Sequence, residues 1–107
     1  MNFEKAYFLK KEIENINSEI ANIEQLKGSN KKLLLKLLQE KQNEYCDELL
    51  DIIQFINQIE DRDVRIIARL RLIDNLTWEE IGQRLYMSRT SCYRKLTNYL
   101  KLHKYHT

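Results

Sequence analysis

Apolar residues recur along this chain at helical intervals, and the intervals divide it into five amphipathic stretches. After Phe3, apolar side chains fall at Ala6, Leu9, Ile13, Ile16, Ile20 and Ile23, three or four apart, with Glu, Lys and Asn between them. That is a heptad seam. A second seam runs through Leu35, Leu38, Gln42, Tyr45, Leu49, Ile52, Ile56 and Ile59. If the chain folds back between the seams, facing positions have numbers with a constant sum. Ile23 with Leu35, Ile20 with Leu38, Ile16 with Gln42, Ile13 with Tyr45, Leu9 with Leu49 and Ala6 with Ile52 all sum to 58. Gly28-Ser29-Asn30 lies at the turn, with glycine expected in the left-handed C-terminal position of the first helix and Ser or Asn as N-cap of the second. The polar Gln42 on the second seam either fixes register or reaches solvent at a bundle edge.

Beyond Ile59 the periods shorten. Val64, Ile67, Leu70 and Ile73 predict a helix over 63–73, capped by Asp61 or Asp63 and followed by the loop Asp74-Asn75-Leu76. Thr77-Trp78-Glu79-Glu80 has the form of a capping box, opening a helix with Ile81 and Leu85 on one face. Gly82 inside it costs roughly 1 kcal/mol against alanine, which predicts a close approach of another helix. Ser88 is placed to cap the last helix, whose buried stripe is Cys92, Leu96 and Leu100, flanked by Tyr99. The expected fold is all-α: an N-terminal antiparallel helical hairpin of coiled-coil type over 1–60, then a three-helix helix-turn-helix domain over 61–107.

Composition agrees with this fold. There is no proline and only two glycines, Gly28 and Gly82, so little interrupts helices. Leu34, Leu37, Leu50, Ile53 and Phe55 lie off the second seam. Either a second copy of the hairpin covers them, giving a homodimer with a four-helix bundle, or the hairpin folds onto its own C-terminal domain; self-association is the favoured expectation. Cys46 and Cys92 are far apart and form no Cys-x-x-Cys pair, so reduced thiols and a cytoplasmic location are expected. No apolar run exceeds four residues, so no membrane span is predicted.

Charge is divided unevenly. Residues 1–60 carry eight lysines against eleven acids, a net −3, whereas residues 61–107 carry ten basic residues against five acids, a net +5. All arginines lie in the second half, and no acid follows Glu80. Arginine makes bidentate contacts to phosphates and base edges, so the division predicts an acidic scaffold and a basic working surface, the plainer alternative being a solvated basic tail. The start of the last helix offers Arg89, Thr90, Ser91, Tyr93, Arg94 and Lys95. Arg89 and Arg94 suit guanine O6 and N7, and Ser88, Thr90, Ser91 and the free amides suit phosphates. Arg84, Lys101 and Lys104 suit backbone contacts. Trp78 is expected to pack rather than to stack a ligand. His103 and His106 have no third ligand nearby, and neither a metal site nor a cofactor is expected. No carboxylate pair, phosphate loop or nucleophile with a base occurs, so an enzyme is not expected.

Residues 61–102 resemble region four of bacterial sigma factors and the small phage regulators built on the same unit. The residues that carry the resemblance are Thr77, Glu79-Glu80, Ile81-Gly82, Leu85, Met87-Ser88, Arg89 and Cys92. Asp63-x-Arg65 and Trp78-Glu79-Glu80-Ile81 are similar to short proteins from phages and prophages of Gram-positive bacteria, among them the ArpU-type regulators of late transcription. Two positions depart from the pattern: Tyr86 stands where glycine is common in the turn, and Lys95 where an apolar residue is usual. The resemblance implies a sequence-specific transcription regulator with a recognition helix over 88–102 in the major groove of double-stranded DNA. It leaves two alternatives: a module that binds RNA polymerase or another factor, and a small terminase-like packaging component.

Overall fold

The structure is a computed structural model, and residues 4–103 are described. Phe3, Lys104 and His106 lie outside the described residues. The chain forms α1 (Lys5–Glu24), α2 (Lys31–Asn57), α3 (Arg62–Ala68) with a π-helical continuation (Arg69–Ile73), α4 (Trp78–Leu85) and α5 (Arg89–Leu102). No strand occurs among the described residues.

α1 and α2 pack together as the two heptad seams require. Every seam position from Ala6 to Ile23 and from Leu35 to Ile59 is buried or half-buried, while the positions between them are mostly exposed. Gln42 is half-buried, and its Nε2 donates across the hairpin to Asn17 Oδ1, so the polar seam position makes a cross-hairpin bond close to the expected register. The turn differs from expectation. α1 stops at Glu24 with Gln25 as a right-handed C-cap, and Gly28 lies farther on at φ 153°. The helix end is closed instead by Leu26 N–H donating to Ile23 O at 2.9 Å and by the Lys31 ammonium donating to Glu24 O at 2.6 Å. Asn30 occupies the N-cap position of α2 without a side-chain hydrogen bond.

Burial deepens from the hairpin turn to its base. Ala6, Leu9, Ile52, Ile56 and Ile59 belong to one continuous core with Val64, Ile67, Ala68, Leu72, Ile73, Ile81, Cys92, Leu96 and Leu100. Of the off-seam residues, Ile53 and Phe55 pack against this core, with Phe55 6.3 Å from the Tyr99 ring on α5. Leu34, Leu37 and Leu50 stay exposed.

The third helix changes pitch midway. Asp61 Oδ1 accepts from Val64 N–H at 3.2 Å, so Asp61 is the cap. From Ala68 the backbone widens, with Asp74 N–H donating five residues back to Arg69 O. A continuous α-helix would carry Arg71 onto the face that Val64 and Ile67 bury. The wider turn delays that face by a residue, so Leu72 and Ile73 are buried and Arg71 is left at the edge. Of the expected seam, Ile73 is buried, whereas Leu70 is half-buried and Leu72 takes its place in the core. Two of the arginines counted as working surface serve the backbone here. Arg65 donates to Ile59 O at 2.8 Å, and Arg71 to Leu76 O at 2.9 Å.

Candidate nucleic-acid interface

α4 and α5 are joined by Tyr86, Met87 and Ser88, and each begins with a side-chain cap. Thr77 Oγ1 accepts from Glu80 N–H at 3.1 Å, and Glu80 Oε1 accepts from Thr77 N–H at 3.2 Å, completing the capping box. The Thr77 N–H and the Thr77 hydroxyl, which donates to the same Oε1 at 2.9 Å, together with the nearby Arg84 charge, hold the Glu80 carboxyl below its ordinary range. Ser88 Oγ accepts from Ser91 N–H at 3.1 Å and donates to Ser91 Oγ at 2.9 Å.

The joint is tight because Gly82 lies against it. A Cβ at Gly82 would stand 2.5 Å from Met87 O and 3.3 Å from Arg89 N, both backbone atoms that cannot swing aside. Met87 N–H donates to Gly82 O at 2.9 Å, tying the joint back to α4. Tyr86 reverses the chain in the left-handed conformation, φ 54° and ψ 42°, and the residue is 97% exposed.

α5 is divided lengthwise. Cys92, Leu96 and Leu100 are buried against the core, and burial pushes the Cys92 thiol upward, which keeps it protonated. The opposite face carries Thr90, Arg94 and Lys101, all exposed, with Ser91 and Lys95 on one flank and Tyr93 on the other. Arg89, exposed, stands at the N-terminal edge beside Glu79 rather than in the middle of the face. Arg84 is exposed in the last turn of α4. Among the described residues, Arg84, Arg89, Arg94, Lys95 and Lys101 form no ion pair. The face thus presents unneutralised cations and hydroxyls on a helix whose free N-terminal amides add positive potential.

Trp78 supports this surface from beneath. Its ring meets Tyr93 edge-on at 5.4 Å, and the Arg71 guanidinium lies 4.9 Å from its centroid. A cleft of about 470 Å³ opens between the starts of α4 and α5, lined by Thr77, Trp78, Glu79, Arg89, Thr90 and Tyr93. His103 stacks on Tyr99 at 4.1 Å.

A family model described as protein of unknown function (DUF1492) matches residues 36–102. The chain belongs to the DUF1492 family. The DUF1492 match begins inside α2 and ends with the last residue of α5, so it includes the whole of the α4–α5 surface. No curated protein and no solved structure matches the chain.

Asn98 was missed by sequence reasoning, although it is exposed four residues after Arg94 and three before Lys101. That spacing puts it on the same face, and it was legible from the helical period alone. The structural role of Arg71 had no comparable signal, because it depends on the change of pitch after Ala68.

Proposed function

We propose that this chain binds double-stranded DNA as a transcription regulator of phage or prophage type, with α4 and α5 acting as a helix-turn-helix and α5 entering the major groove. The observation that carries the reading is the unpaired basic and hydroxyl-rich face of α5, set against a three-residue joint that Gly82 holds close. The resemblance of residues 61–102 to sigma region four supports it. A helix in the major groove presents its N-terminal residues to base edges. On that geometry Thr90 and Arg94 read bases, with Asn98 suited to adenine and Arg94 to guanine. Ser88, Ser91, Arg84, Lys95 and Lys101 hold phosphates, while Tyr93 and Arg89 meet the edge of the groove. The chain acts by binding rather than catalysis.

Selection from a pool of random duplexes tests this reading. The protein enriches one motif, and Arg94→Ala flattens preference at one base pair, each lost bidentate contact being worth about 1–3 kcal/mol. Lys101→Ala weakens binding to all sequences alike. Absence of duplex binding at low salt contradicts the proposal.

A further inference from the structure

α2 carries a second heptad face, opposite the hairpin seam, that none of the described residues covers. Leu33, Lys36, Glu40, Asn43, Asp47 and Leu50 recur at alternating intervals of three and four, and all are exposed, Leu33 at 55% and Leu50 at 50%. The charge order along this helix opposes its own stability. Residues 31–39 hold three lysines and no acid, and residues 40–51 hold five acids and one lysine. The first turn of α2 holds Lys31 and Lys32 and no acid, and its last turn no base, so neither end is matched to the helix dipole. Like charges also stand four apart, as in Lys32 and Lys36, Glu40 and Glu44, and Asp47 and Asp51, where they repel. Among the described residues none of Lys32, Lys36, Asp47 or Asp51 is in an ion pair.

We propose that this face pairs with the same face of a second copy, antiparallel, about a two-fold axis crossing α2 between Lys41 and Gln42. Positions whose numbers sum to 83 then oppose one another. Leu33 meets the partner's Leu50, Lys36 the partner's Asp47, Glu40 the partner's Asn43, and at the flank Lys32 the partner's Asp51. Each contact occurs twice, as an isologous interface requires. The basic half of each helix lies on the acidic half of the other, and the two helix dipoles run in opposite directions. Parallel pairing would set lysine on lysine. A slip of one heptad sets Leu33 against Asn43 or Leu50 against Glu40, so apolar and charged matches coincide in one register. The arrangement puts the two α2 C-termini, and with them the two α4–α5 units, about 45 Å apart at 1.5 Å of rise per residue. It stands independently of DNA binding.

Sedimentation velocity on the full chain, without DNA and over a hundredfold range of concentration, tests it. The wild-type chain is a dimer. Exposed ion pairs contribute little singly, but each single reversal makes both symmetry-related pairs repulsive. Lys36→Glu and Asp47→Lys therefore each weaken the dimer about tenfold or more, with helix content by circular dichroism unchanged because both sites are exposed. The combined K36E/D47K chain returns to within about threefold of wild type. A monomer throughout the range, single reversals that leave the dimer intact, or a combined variant that fails to recover would each overturn the proposal.

Discussion

Gly82 and Tyr86 are opposite cases of backbone constraint within one joint. Gly82 has a helical conformation that any residue adopts, but the space beside it is filled by the Met87 carbonyl. Gly82→Ala ordinarily gains about 1 kcal/mol in a helix; here overpacking costs about 1–3 kcal/mol and the net effect is destabilising. Urea denaturation shows this as a lower midpoint with an unchanged slope. Tyr86 has ample space and an unfavourable φ of 54°. Tyr86→Gly relieves the left-handed strain and raises stability by about 1 kcal/mol in the same assay. Gly82 was legible in the sequence as a packing glycine, because a helix interior gives glycine no other reason. At Gly28 the inference from glycine to helix end failed, since the Lys31 side chain closes α1 first.

At the scale of elements, the seams and caps were legible and the pitch was not. Apolar spacing located α1, α2, α4 and α5 because each uses one uninterrupted α-helical period. Thr77 and Ser88 marked the starts of α4 and α5 through the geometry of free amides, and Asp61, one of two candidates, proves to be the cap of α3. The π-helical turn after Ala68 escaped because its registers depend on tertiary burial of Leu72 and Ile73. Its consequence is Arg71, which spans from this turn to the Leu76 carbonyl and the Trp78 ring. Arg71→Ala leaves that carbonyl without its partner and uncovers the indole, with a cost of about 1–2 kcal/mol. Trp78 fluorescence reports the change as a red shift with greater quenching by iodide, while the circular dichroism of the long hairpin stays as it was.

At the scale of the whole molecule, the described residues extend over 56 × 27 × 17 Å, with the hairpin turn at one end and the α4–α5 surface at the other. The base of the hairpin shares its core with the C-terminal helices, so α5 is held by the same residues that close α1 onto α2. This seats the basic face on the base of the hairpin. The charge count over residues 61–107 includes arginines that serve the backbone: Arg65 and Arg71 bind carbonyls, whereas Arg84, Arg89, Arg94, Lys95 and Lys101 stay exposed with no ion pair among the described residues. The central claim is that these cations meet nucleic-acid phosphates. Its most direct test is the affinity of the chain for duplex DNA measured by fluorescence anisotropy as salt is varied. Binding that neutralises three or more phosphates gives a log–log slope of about −3 or steeper, and Lys95→Ala or Lys101→Ala makes that slope shallower by about 1. Affinity that is absent at low salt, or indifferent to both salt and these substitutions, would contradict the claim.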